Sequence, residues 1–306
     1  MSARTSADES YPVAAGPGYP LSSLVRIDVD ARSHPGYHRT NNEDQFFVTR
    51  LGRTLQTIVS SLPAGEVPDR TEEVNYVMVV ADGMGGHAAG EVASRMAIST
   101  LVSLALEVPD WIFKVDAEYA REVEQRTRAR VQEVGAVLVE RGRGDAALRG
   151  MGTTLTAVRI IGRDLLVTHV GDSRAYLLRA GGLHRLTKDH TYAQLLVDVG
   201  QLAPGDVAAS RHRHVLTNAL GGSCEDVQVD TDRLQLEDGD RLLLCSDGLT
   251  DLVDDAAITT IMRQATRSSD ACERLVQRAL ENGGRDNVTV IVAGYRLPAD
   301  AAPADR

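Results

Sequence analysis

The chain is short of positive charge. Its 306 residues carry 33 Lys and Arg against 43 Asp and Glu, a formal net charge of −10. So acidic a balance argues against a nucleic-acid or anionic-membrane binder, because those partners select basic faces. If the ligand is itself anionic, something other than net charge must attract it, and a bound cation could do so. Cysteine is scarce as well. Cys224, Cys245 and Cys272 are odd in number and widely spaced, with no CxxC or His/Cys pattern around them. That excludes a disulfide framework or a zinc knot and reads as buried, reduced thiols in a cytoplasmic protein. No apolar run approaches the ~18 residues of a membrane span, and the opening MSARTSADES lacks the apolar core of a secretion signal. A soluble, cytoplasmic protein is the expectation.

What is present is an ordinary globular composition, 43% hydrophobic and 25% charged. Residues 1–22 are rich in Ser, Pro, Gly and Ala and read as a flexible leader, and 298–306 as a loose tail. No linker divides residues 23–297, so one domain is expected there. Segments near 24–30, 44–49, 75–81, 153–161, 164–170, 174–179, 227–235, 241–246 and 287–295 are rich in Val, Ile, Leu and Thr and bounded by turn residues, which predicts strands. TLTAVRI and LLVTHVG flank Ile161-Gly162-Arg163-Asp164, and AYLLR runs into Ala180-Gly181-Gly182. Such hairpin signals predict mainly antiparallel sheets.

Apolar residues at three- and four-residue steps predict helices over 88–107, 114–141, 254–265 and 270–281. Helices that come in blocks between runs of strands predict an α+β protein rather than a doubly wound sheet. Two stretches resist assignment. Residues 52–73 read as an inserted loop with a turn near Pro63-Ala64-Gly65. Residues 189–214 read as a flap-like segment with a short helix, TYAQLLVDVG, followed by the run RHRH.

Four acidic places sit at strand ends. Asp82 follows VMVVA and Asp247 follows RLLLCS, both at C-terminal ends. Glu43-Asp44 precede QFFV and Asp286 precedes NVTVIV, at N-terminal ends. If each pair of strands runs antiparallel, all four places fall on one edge of the sheets. Clustered carboxylates repel one another and resist burial, so a divalent cation in their midst would make them tolerable. Oxygen donors without Cys or His select a hard ion such as Mg²⁺ or Mn²⁺. The plainer reading also stands, since Asp-Gly after a strand is a common turn. The stretch DGMGG is no Walker loop, because no GKS or GKT follows it.

In order, HRTNNED (38–44), VVADGMGGHAAGE (79–91), GMGTTLTAV (150–158), THVGDSRAYLLR (168–179), LTKDHT (186–191), LLLCSDGLTD (242–251) and GGRDNVTVIV (283–292) resemble the metal-dependent protein serine/threonine phosphatases of the PPM, or type 2C, family. The DGMGGHAAGE form resembles the bacterial branch, and the resemblance spans about residues 24–296. It implies a four-layer α-β-β-α sandwich of two mainly antiparallel sheets flanked by helices, with two Mn²⁺ or Mg²⁺ ions on one edge. By motif, Asp82 would bridge both metals and the Gly83 carbonyl would bind one of them. Asp247 and Asp286 would complete the other, and Glu43 would reach the first through water. Asp44 would orient water at the metals, and Arg39 would grip the substrate phosphate, as a planar guanidinium fork is suited to do.

The resemblance implies direct hydrolysis of phosphoserine and phosphothreonine by a metal-activated water, with phosphorylated proteins as partners, opposition to a bacterial Ser/Thr kinase, and a monomer. A catalytically weak phosphoprotein binder and a partner-switching phosphatase are the alternatives. No side-chain nucleophile is expected, so Cys245 reads as core and Ser173 as a turn residue. His212 and His214 read as caps of a mobile flap, and Asn287 as a residue ordering the ligand loop. Two departures stand out. Met84 occupies the place where eukaryotic relatives carry a histidine thought to protonate the leaving group, and His87 does not inherit that role. Alanine stands where an aspartate before GMGTT would hold a third metal, and Asp145 could replace it only if its loop shifted, so a third ion is not expected.

Overall fold

A computed structural model describes residues 21–85, 89–107, 117–222 and 226–297. The expected leader up to residue 20, the tail 298–306, His87 and Cys224 lie outside the described residues. In chain order the strands are β1 (Arg26–His34), β2 (Asp44–Gln56), β3 (Arg70–Met84), β4 (Gly152–Thr153), β5 (Leu155–Ile161), β6 (Asp164–Val170), β7 (Arg174–Arg179), β8 (Gly182–Arg185), β9 (Leu220–Gly221), β10 (Asp230–Gln235), β11 (Arg241–Cys245) and β12 (Val288–Arg296). The α-helical segments are α1 (Leu21–Leu24), α2 (Ala89–Glu107), α3 (Ala117–Gly144), α4 (Tyr192–Asp198), α5 (Asp247–Thr250), α6 (Asp255–Gln264) and α7 (Ser268–Glu281).

Two sheets result, with every strand pair antiparallel. One runs β1-β12-β11-β7-β8, and the other runs β10-β6-β5-β3-β4-β9 with β2 added against β3. Period-two alternation sorts the strand side chains into layers. Met78 and Val80 point into the space between the sheets, where they meet Leu242, Leu244, Ile291 and Ala293. Their neighbours Val79 and Ala81 face the other way, onto Ala93 and Ala97 of α2 and Val134 and Leu138 of α3. Leu243, Cys245, Val290 and Val292 face out from the other sheet onto Ile258, Leu275 and Ala279 of α6 and α7. Helix, sheet, sheet and helix are the four layers. Helix α2 is long and apolar enough to cross a membrane by those measures alone, yet here it covers a sheet.

Two expectations are corrected. The segment 52–73 is strand at both ends and loop only between: β2 and β3 stay paired from Asp44–Asp82 out to Gln56–Arg70, which leaves the loop to residues 57–69. Past Asn75, β3 has no pairing with β5, so the hairpin continues as a two-stranded arm carrying the Arg50–Glu72 and Arg53–Glu73 ion pairs. With residues 52–56 exposed throughout, the arm lacks the apolar alternation that announces a strand. Its turn does fall where the sequence put it, with Glu66 N–H bonded to the Pro63 carbonyl at 3.2 Å. The second correction concerns residues 21 and 22, which belong to α1. Ser22 is buried, and its Oγ accepts the Val74 N–H at 3.4 Å.

Candidate metal centre

The antiparallel pairing brings the strand-end acids to one edge. Asp44 opens β2 directly across from Asp82 near the end of β3. On the other sheet Cys245 pairs with Val290, so Asp247 emerges beside Asp286 and Asn287. Arg39, Glu43, Asp82, Gly83, Asp247 and Asp286 line one cleft of about 990 Å³. Asp44 lies beneath its floor, 3% exposed.

Asparagine and serine join the two sheets here. Asn287 Oδ1 accepts the Glu43 N–H at 2.8 Å, while its Nδ2 donates to the carbonyls of Pro35 and Asn41, each at 2.9 Å. This side chain holds the Glu43 loop against the start of β12, in line with the ordering role read from sequence. Ser246 Oγ donates to Asp44 Oδ2 at 2.7 Å and accepts the Thr289 N–H at 3.0 Å. Thr153 Oγ1 donates to the Asp82 carbonyl at 2.8 Å, and Asp82 N–H donates to Thr154 Oγ1 at 2.9 Å. Ser173 is buried, sharing a 2.8 Å hydrogen bond with Thr154, and has no nucleophile's setting.

Glycine is required where backbones meet. A Cβ at Gly83 would stand 2.1 Å from the Gly90 carbonyl oxygen and 2.7 Å from that of Glu43. A Cβ at Gly90 would stand 2.6 Å from Glu43 Oε2. The Glu43 carboxylate therefore rests on the bare first turn of α2.

The electrostatics are unfavourable without a cation. Burial pushes the Asp44 carboxyl up to about 7, against the pull of its Ser246 and Thr289 hydrogen bonds. Loss of water and the neighbouring charges of Asp44, Asp247 and Asp172 hold Asp82 well above the ordinary carboxylate value. Burial also raises Glu43. Asp44 Oδ1 is buried with no hydrogen-bond partner, a costly state for a carboxylate oxygen. Crowded carboxylates, an orphaned oxygen and the Gly83 backbone at the cleft wall form an oxygen donor set, and a hard divalent cation fits it. Arg39 is tied to the same place, donating through one terminal nitrogen to Asp286 Oδ2 at 2.7 Å.

Sequence reasoning missed part of the site. Asp172, His214 and Asp247 each offer one ligand atom, and these atoms lie within 4.8 Å of one another. Burial and the charge of Asp247 push the Asp172 carboxyl up to about 8. His214 is no flap cap: its Nδ1 lies 3.5 Å from Asp247 and its Nε2 3.1 Å from Asp251. Those two partners raise the imidazole to about 10. His212 does remain on the flap, edge-on to Tyr192 at 5.0 Å. Asp145 takes no part in the site. It caps the turn at 146–148 by accepting the Ala147 N–H at 3.0 Å. Asp172 stands in the GDSR motif, but nothing local marks it as facing a residue 42 positions on. Cys245 is core, its thiol pushed up to about 12 by burial.

The sequence profile of the family described as Protein phosphatase 2C matches residues 68–282. The serine/threonine protein phosphatase PstP of Mycobacterium tuberculosis is 37% identical over 265 residues, covering 86% of this chain and 44% of that protein. The chain thus spans less than half the length of that relative. Protein phosphatase PhpP of Streptococcus pneumoniae is 33% identical over 274 residues, 86% of this chain and 96% of that one. Among solved structures, the M. tuberculosis phosphatase PstP/Ppp superposes with a TM-score of 0.70 at 36% identity, covering 89% of this chain and 99% of that one. A catalytic domain of PstP in complex with two manganese ions superposes at 0.68 and 35% identity, with the same coverage.

Proposed function

The chain belongs to the protein phosphatase 2C family, and from that premise we propose that it hydrolyses phosphoserine and phosphothreonine in proteins, with two divalent cations, Mn²⁺ or Mg²⁺, held by Asp82, the Gly83 carbonyl, Asp247, Asp286 and Glu43. The observation that carries this reading is the convergence of those donors around the unpartnered Asp44 oxygen at the floor of one cleft. The manganese-bound relative of the same fold supports it.

When bound, the cations lower the pKa of water and neutralise charge on the phosphoryl oxygens. The chain's own residues do the rest. Arg39 stands at the rim, where its guanidinium fork can pair with two phosphate oxygens while one nitrogen keeps its hold on Asp286. Asp44, turned by Ser246, offers its free oxygen as the acceptor that orients an attacking water. Asn287 and the bare glycines at 83 and 90 keep the Glu43 loop seated. In-line attack breaks the bond from phosphorus to the serine or threonine oxygen, releasing the alcohol and inorganic phosphate. Met84 has no proton to give the departing oxygen.

The further setting belongs to the same proposal: a monomeric, cytoplasmic enzyme that opposes Ser/Thr kinases. The buried free thiols of Cys245 and Cys272 support a reducing compartment. The test is phosphate release from a phosphothreonine peptide with Mn²⁺, with and without chelator, for the natural chain and Asp247→Asn. Full activity with chelator, or in the variant, would overturn the reading.

A further inference from the structure

We propose that a second cleft beside the metal centre, floored by Arg174, Arg185 and Asp189, is an anion subsite that takes a carboxylate or phosphate side chain of the substrate a few residues from the one being cleaved. This rests on the phosphoprotein reading above and adds a preference to it. The cleft measures about 580 Å³ and shares Asp172, Arg213, His214, Asp247 and Asp251 with the larger one. A peptide seated at the metal centre therefore has its neighbouring residues within reach of both.

The floor is built, not a chance surface grouping. Arg174, the first residue of β7, donates to Asp189 through Nε at 3.0 Å and through a terminal nitrogen at 2.7 Å, and its other terminal nitrogen reaches the Tyr176 hydroxyl at 3.3 Å. Arg185, the last residue of β8, donates to Oδ1 of the same carboxylate, the oxygen that Arg174 Nε also reaches. Asp189 is 7% exposed. One carboxylate thus serves two guanidinium groups, and one unit of positive charge is left over.

The remaining acids of the cleft are committed elsewhere. Asp251 faces His214 at 3.1 Å and Arg213 at 3.8 Å. Asp172 and Asp247 face the metal centre. Burial, and then the neighbouring Arg174, hold the Arg185 guanidinium below its ordinary value, against the pull of Asp189 and the more distant Asp255. Guanidinium donors match carboxylate and phosphate oxygens in geometry and charge. The ligand class that completes this floor is an anionic side chain.

The test uses the full chain loaded with Mn²⁺ and three kinds of peptide: phosphothreonine alone, with a glutamate added, and with a second, phosphorylated serine added. The added group is placed about two to four residues away on either side, roughly 7–14 Å in an extended chain. Two ratios are read for each protein, acid-bearing over plain peptide, in kcat/KM and in calorimetric Kd. The natural chain is expected to favour the acid-bearing peptides about five- to tenfold at one of these positions, through KM, with phosphate ahead of carboxylate. Arg185→Gln should bring both ratios to about 1, and Arg185→Lys should keep part of the preference. A ratio compares two ligands on one protein, so partial unfolding of a variant cancels. A natural-chain ratio of 1 at every position, or one that Arg185→Gln leaves intact, overturns the inference. If no peptide is hydrolysed, the phosphatase reading fails by itself, and the Kd ratios decide the subsite by the same two criteria.

Discussion

Ser246 Oγ donates to Asp44 Oδ2 at 2.7 Å, although the two residues lie on different sheets and 202 positions apart. The bond fixes which oxygen of Asp44 is left for the metal centre, and the same hydroxyl accepts the Thr289 N–H. Ser246→Ala should therefore leave a buried N–H unpaired and release Asp44. The expected cost is about 1–3 kcal/mol of stability, with weaker Mn²⁺ affinity. Urea unfolding and metal titration of the variant check both effects.

Asp44 sets a pH dependence for the metal-free protein. Its folded value of about 7 lies above its ordinary 3.8, so the folded state is the one that holds the proton. That contribution is fully present below about pH 4 and is lost as pH rises through about 7. Metal-free protein should melt at a lower temperature at pH 8 than at pH 6. A cation does the proton's work at high pH, and at a hundred times its Kd a single site adds about 2.7 kcal/mol. The rise in Tm on adding Mn²⁺ should thus be larger at pH 8 than at pH 6. Thermal melts at both values, with and without chelator, measure it.

The Asp172, His214 and Asp247 group predicts a stoichiometry. Against the two ions expected from the motifs, three ligand atoms within 4.8 Å would suit a further cation beside the pair proposed for Asp82, Asp247 and Asp286. Equilibrium dialysis should find one Mn²⁺ fewer per chain in Asp172→Asn than in the natural protein. Equal stoichiometry would mean that the buried Asp172 carboxyl stays protonated there instead.

Gly248 admits no larger residue. A Cβ there would sit 2.0 Å from the Asn287 carbonyl oxygen, backbone that cannot swing aside. Gly248→Ala should cost about 3 kcal/mol and displace Asn287, which orders both Glu43 and the start of β12. Denaturant melts should show the loss, and a Mn²⁺ titration should show affinity falling with it.

The sequence by itself determined the layers and the principal acids. Strand-length apolar runs with hairpin turns pointed to mainly antiparallel pairing. Acids at the ends of one strand and the starts of its neighbours share an edge once that pairing forms, as it does here. Seven motifs in order carried the family, and Asp82, Asp247, Asp286, Glu43 and Asp44 stand on that edge. Tertiary structure alone decided the rest. It turned residues 52–56 and 70–74 into a paired arm that no apolar alternation announced, and brought His214 from the flap onto Asp247 and Asp251. It also left two arginines sharing one aspartate beside the metal centre. The physical reason is distance along the chain. Periodicity and turn chemistry report on neighbours a few residues apart, whereas Asp172 meets His214, and Ser246 meets Asp44, only after both sheets have closed on each other.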